Sequence, residues 1–177
     1  MTSSATAIAG NPTQAPGPQQ GQAPLQLVGM TAGGRKYALP IIVVQEINRT
    51  MPIEKTPDTP DFTEGVVNLR GQTIPVVDLG KRLSGTPNQA FSGSRIVFVE
   101  LPYDQPNTVV GLAVEKVCRV LRLDPTAVEP NGEAALHPAV DGVGRLGEEV
   151  LLLLSPNRLF AAEELAAMRC ASRVGPD

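Results

Sequence analysis

From residue 25 onward the apolar positions come in short bursts separated by Gly, Pro, Asn and Asp, most of them too brief to be helices. Bursts of that length predict strands, at 25–31, 35–39, 65–69, 73–77, 95–100, 109–114, 117–123, 140–146 and 150–154. Alternation is clear in places. Val117, Arg119, Leu121 and Leu123 fall on one face, and Cys118, Val120 and Arg122 on the other. Many strands and few helices point to a mainly β fold, a barrel or a sandwich. Helical signals are local. Thr59-Pro60 reads as an N-cap followed by Pro at the first helical position, and Asp78 as the cap of a short turn through Leu83. Residues 157–169 place Leu159, Ala162, Leu165 and Ala166 at helical spacing, with Glu163 and Glu164 expected to be exposed, and predict an amphipathic C-terminal helix docked on the β core.

The stretch from Gly65 to Leu79 has the most information per residue. Val67 and Leu69 share one face, Arg70-Gly71-Gln72 supplies a turn, and Ile74 and Val76 resume the apolar face, so the segment reads as a hairpin with a charged tip. Pro75 cannot donate a ladder hydrogen bond, which places the second strand at an edge or at a barrel bend where that position is free. Asn68 and Arg70 project opposite to Val67 and Leu69. Arg70 can either pack and bond backbone carbonyls or face a partner.

Composition narrows the possibilities. The 177 residues suffice for one domain with a proper core, expected over 25–168. Residues 1–24 are rich in Pro, Gln, Gly, Ser, Ala and Thr and predict a disordered tail, while 169–177 predict a frayed C-terminus. Aromatics make up 3% and Trp is absent, so the core must come from Val, Leu, Ile and Ala. Fifteen basic against 18 acidic residues give a net charge of -3, which offers no footprint for a polyanion. A small barrel binding oligonucleotides, the alternative from another class, would need a basic groove and aromatic platforms. With two Tyr and four Phe, this chain lacks both. No basic segment followed by an apolar one opens the sequence, and no apolar run approaches the roughly 20 residues of a membrane helix, which predicts a soluble, cytoplasmic protein.

Chemistry is scarce. His137 is the only histidine, in a loop-like stretch before Pro138, and cannot by itself assemble a metal site or a triad. Cys118 and Cys170 lack metal spacing and read as reduced thiols. Gly142-Val143-Gly144-Arg145-Leu146-Gly147 matches the dinucleotide pattern literally, but Val150 to Leu154 follows as a strand where a helix is required, so a bulged hairpin explains the glycines better. Asp78 and Glu46 could be imagined as an acid–base pair. A helix cap is the simpler reading of Asp78, and Glu46 is open between a solvated edge and a partner contact. The reading is of no enzyme, no cofactor and no metal.

The ordered set Tyr37-Ala38-Leu39, Val44-Gln45-Glu46-Ile47, Gly65 to Gly71, Ile74-Pro75-Val76-Val77-Asp78-Leu79, Val110-Gly111-Leu112-Ala113-Val114, Val117 and Val120 to Leu123 resembles the CheW-like domain over about residues 25–168. The resemblance implies two intertwined, five-stranded Src-homology-type barrels around a shared core, with a C-terminal helix. It implies a non-enzymatic adaptor that binds the cytoplasmic tip of a chemoreceptor and the regulatory domain of a CheA-type histidine kinase, recruited to membrane-associated arrays. By the same resemblance Val44, Glu46, Asn68, Arg70, Val110 and Gly111 fall near the receptor, and Ile41, Ile42 and Ile47 are candidates for the kinase face. The chain departs from the family pattern at Val114-Glu115, where Val-Asp is usual, and in Leu27-Val28-Gly29-Met30, which lacks the common Phe. Neither change threatens the fold.

Overall fold

The computed structural model describes residues 23–89, 93–102, 108–130 and 137–173. Eleven strands and two α-helices follow one another as β1 (Leu25–Ala32), β2 (Arg35–Pro40), β3 (Val44–Arg49), β4 (Thr63–Leu69), β5 (Gln72–Asp78), α1 (Leu79–Ser84), β6 (Arg95–Leu101), β7 (Thr108–Val114), β8 (Lys116–Leu123), β9 (Val128–Pro130), β10 (Val140–Leu146), β11 (Glu149–Leu154) and α2 (Ala162–Arg173). They form two sheets, a five-stranded one in the order β3-β6-β7-β5-β4 and a six-stranded one in the order β8-β1-β2-β11-β10-β9. The first two strands thus join the C-terminal half of the chain, and the middle of the chain builds the other sheet. This is the intertwining that the resemblance implied, with short β9 as a sixth strand in the second unit.

The first sheet curls until its two edges meet. Past β3, Glu54 pairs with Val66 of β4 through two backbone hydrogen bonds of 2.9 and 2.8 Å. Gly65 makes that approach possible, because a Cβ there would lie 2.1 Å from the Glu54 carbonyl oxygen, at a φ of +143°. Both sheets have apolar inner faces, and the alternation of each strand divides the buried side chains among three clusters. Val67, Ile74, Val76, Ile96 and Phe98 fill the first unit. Leu27, Ala38, Leu121, Leu123, Leu151 and Leu153 fill the second. A larger cluster between them includes Met30, Tyr37, Val77, Val99, Val110, Leu112, Leu159 and Met168 and binds the two units into one body.

Several sequence expectations change. The nine predicted strands form, and β3 and β9 join them. Thr59-Pro60 starts no helix. Thr59 Oγ1 bonds the Thr56 carbonyl, and the Pro60 carbonyl accepts from Thr63 N, making a turn that delivers Phe62 to the core. Pro75 sits in an interior strand rather than at an edge. Its partner Val66 commits both backbone groups to Glu54, and pairing of β5 with β7 begins only at Val76, so no ladder bond is asked of its nitrogen. The C-terminal segment opens with a 3-10 turn, Pro156–Arg158, and α2 then runs past the expected end to Arg173. Among its described side chains Leu165 and Met168 are buried, while Ala162 and Ala166 face solvent. Gly142 to Gly147 is a bulged hairpin as expected, with a register shift between Val140 and Gly142 and Gly147 at its tip. The predicted tail lies outside the described residues apart from Ala23 and Pro24.

Candidate partner-binding site

Residues paired across neighbouring strands share a face, so Glu46 and Asn48 of β3, opposite Phe98 and Ile96, point to the inner side of the first barrel. Both are half-buried, at the end of the barrel where the β4–β5 hairpin turns, and this end is its mouth. The β4–β5 hairpin closes with a two-residue loop, Arg70-Gly71, flanked by the pair Leu69 and Gln72. Both loop residues have positive φ, +53° and +85°, the signature of a type I′ turn. Asn68 stabilises the loop by accepting from Gly71 N at 2.9 Å.

Arg70 then reaches Glu46 with a two-point fork, Nη1 to Oε2 at 2.6 Å and Nη2 to Oε1 at 3.3 Å. Asn48 Nδ2 holds the same carboxylate at 2.8 Å. The pair is asymmetric, since the Arg70 side chain is 76% exposed and that of Glu46 only 19%. The result is a fixed guanidinium standing on the surface over the barrel mouth, beside a groove of about 410 Å³ walled by Met51, Pro52, Glu54, Val66, Asn68 and Thr73.

The structure therefore gathers Glu46, Asn68 and Arg70, and with them Asn48, which the sequence reading missed. It does not bring Val110 and Gly111 to the surface. Val110 is fully buried in the shared core. A Cβ at Gly111 would meet Ile96 at 2.9 Å and Val76 at 3.1 Å inside the first barrel. Their side-chain positions can only support the strand. Val44 is half-buried, one row away opposite Val99, and packs on the shared core.

Among the kinase candidates, Ile41 and Ile42 form a 3-10 turn after Pro40. Ile42 is 89% exposed, the largest exposure among the exposed large hydrophobic residues. Together with Leu25, Leu27, Pro40 and Leu153 they wall a mainly apolar groove of about 590 Å³. Ile47 is exposed on the outer face of β3 and takes no part in that groove.

Two further clusters of charged groups emerge. Asp78 is buried and caps α1, accepting from Lys81 N at 3.0 Å and from Asn88 N. Glu64, the bulged residue of β4, lies beside it, and burial followed by the Asp78 charge pushes the Glu64 carboxyl above its ordinary range. Arg82 of α1 stacks over Phe62 and Phe160, donates to the Leu159 carbonyl and pairs with Glu164. Glu164 was expected to be exposed; it is half-buried because Arg82 holds it. Among the described residues no group of three or more His, Cys, Asp or Glu could hold a metal ion.

A family model described as the CheW-like domain matches residues 26–164. Over 139 residues the chain is 34% identical to the chemotaxis protein CheW of Klebsiella aerogenes, covering 77% of this chain and 81% of that one. It is 27% identical over 135 residues to protein PilI of Pseudomonas aeruginosa, covering 75% and 73%. Among solved structures, the scaffolding protein TtCheW from Thermoanaerobacter tengcongensis matches with a TM-score of 0.71 at 30% identity, over 80% of this chain and 95% of that one. Two entwined barrels, a hairpin ending in Asn68-Leu69-Arg70-Gly71 and a match running through nearly all the described strands lead to one assignment: the chain belongs to the CheW-like family of chemotaxis coupling proteins.

Proposed function

We propose that this chain binds the cytoplasmic tip of a chemoreceptor at the mouth of its first barrel, around Glu46, Asn68 and Arg70, and the regulatory domain of a CheA-type histidine kinase at the apolar groove of Ile41 and Ile42. The coupling role itself follows from family membership: CheW-like proteins are scaffolds that join chemoreceptors to CheA, not enzymes. The adaptor works on the cytoplasmic side and is recruited to membrane-associated arrays by the receptor it binds. Among the described residues no helix is long and apolar enough to cross a membrane.

One observation carries the receptor reading. A type I′ turn favours Asn or Gly at its first position, and a left-handed conformation costs an ordinary residue about 1 kcal/mol. Arg70 occupies that position with φ of +53°. The Arg70 end of its ion pair is solvated while Glu46 is half-buried, and pairs open to water contribute about 0–1 kcal/mol. Stability alone therefore gives little reason for Arg there, and a guanidinium held ready for an acidic or amide partner gives a better one. Val44, Val110 and Gly111 act behind this surface by holding β3 and β7 in place.

Transmission then needs no chemistry. A scaffold that touches receptor and kinase at once links their conformational equilibria by the difference in its contacts with each state. Co-sedimentation with a receptor signalling fragment tests the site. Arg70→Glu and Glu46→Arg should each weaken receptor capture about tenfold or more while circular dichroism stays unchanged. Normal capture by both variants would reject the placement.

A further inference from the structure

Strand β1 overhangs its neighbour. It pairs with β8 from Leu25 onward but with β2 only from Leu27, opposite Pro40. β2 ends at Pro40, and the chain turns away through the 3-10 turn of Ile41 and Ile42 instead of continuing beside Leu25 and Gln26. The space left between the overhang and that turn is the apolar groove of about 590 Å³, floored by buried Leu27, Leu153 and Leu154. Leu25 and Ile42 stand exposed at its rim. The one charged residue in its lining is Asp141, which is already paired with Arg158.

The chain enters β1 through this groove. Pro24, directly before the strand, lines it, and residues 1–22 precede the described part of the chain, so they leave from the groove's own wall. Their chemistry matches the lining. Residues 1–22 contain no Asp, Glu, Lys or Arg, and Ile8 is the one large apolar side chain in 2–22. Pro12, Pro16 and Pro18 have no N–H, which reduces the backbone donors left to satisfy on an apolar surface. A coil of the length between Ile8 and Pro24 spans about 20 Å, more than a groove of this volume is wide, so Ile8 can double back to Ile42.

We propose that residues 1–22 fold back into this groove, seating Ile8 beside Ile42, and compete there with the kinase regulatory domain. A tethered segment meets its site at an effective concentration on the order of millimolar, so even a millimolar intrinsic affinity fills the groove about half of the time. The kinase then finds a free groove only in the remaining fraction, and its apparent capture weakens in proportion. The docking rests on the groove and the tether alone. The competition rests also on the placement of the kinase in that groove.

The test uses the full chain with its isoleucine methyls labelled for NMR. The expected result is methyl contact between Ile8 and Ile41 or Ile42. Ile8→Ser should shift the Ile41 and Ile42 signals, and Ile8→Leu should keep them at their wild-type positions. Ile47, on the outer face of β3 and outside the groove, should stay unmoved throughout. In capture assays with the kinase regulatory domain, Ile8→Ser should bind about twofold more tightly than wild type. Absence of the methyl contact, with Ile41 and Ile42 signals indifferent to Ile8→Ser, would overturn the proposal. So would unchanged capture by Ile8→Ser where Ile42→Glu abolishes it. If Ile42→Glu keeps the kinase, the placement of the kinase has failed instead, and the methyl contacts alone decide the docking.

Discussion

Arg70 is the side chain on which local geometry and function pull apart. Asn fits the first position of a type I′ turn better than Arg, so Arg70→Asn should stabilise the isolated protein by about 0.5–1 kcal/mol, read as a higher midpoint in urea, while receptor capture falls. A loss of stability would mean the Glu46 pair serves the fold. Glu64 offers a second residue-scale test. Its folded-state pKa is raised, so below that value the folded protein binds more protons than the unfolded chain, and stability is gained as pH falls toward the ordinary 4.5. At neutral pH the ionised group stands against Asp78. Glu64→Gln should therefore raise the melting temperature at about pH 7, and the advantage should shrink as the pH drops and wild-type Glu64 takes up its proton. At this scale the sequence was only partly legible. The charged tip of the hairpin and the cap at Asp78 could be read from turn and capping chemistry. The Glu46–Arg70 fork, the Asn48 contact and the Arg82 cluster could not, because each joins residues distant in sequence through the barrel topology. Val110 and Gly111 came from the resemblance alone, and a strand buried on both faces gives no sign in sequence of which residues reach the surface.

At the scale of elements, α1 is six residues long and owes its place to its neighbours. Asp78 caps it and also holds Asn88 N, and Asn88 in turn accepts from Gly33 N in the β1–β2 turn and donates to the Ala113 carbonyl of β7. That chain of bonds stitches the second barrel to the first. It needs Gly80, where a Cβ would lie 2.6 Å from both Gly33 N and the Thr86 carbonyl oxygen. Gly80→Ala should cost about 1–3 kcal/mol in thermal or denaturant unfolding despite the better helix propensity of Ala, and a neutral or stabilising result would refute the packing assigned to that junction. The predicted strands were found because period-2 alternation and Gly/Pro punctuation are local signals. Strand β3 was missed because its burial alternates around polar residues, with Glu46 and Asn48 on the inner side. The Thr59-Pro60 helix failed because a local cap signal was overruled by burial of Phe62. Pro75 was tolerated inside a sheet because the closing bridge at Glu54 had already taken its partner's bonds.

For the whole molecule, the crossing of β1 and β2 into the C-terminal sheet means that the second barrel is incomplete without the N-terminal strands, while the middle of the chain builds the first. The shared cluster between them, rather than either barrel interior, contains most of the buried apolar residues. Such a body can hold the proposed receptor surface around Arg70 and the apolar groove at Ile42 in fixed relation, which is what a coupling scaffold requires. Amphipathic patterning indicated a mainly β fold, but the two-barrel arrangement was legible only through the ordered motifs that resemble the CheW-like domain. The most direct test of the account is a reconstitution of the full chain with its cognate receptor signalling fragment and CheA-type kinase, scoring co-sedimentation and kinase activity together. The wild type should enter the sediment with both partners and raise kinase activity, Arg70→Glu should lose the receptor but keep the kinase, and Ile42→Glu should lose the kinase but keep the receptor. Absence of the wild type from the sediment, with no rise in kinase activity, would contradict the account.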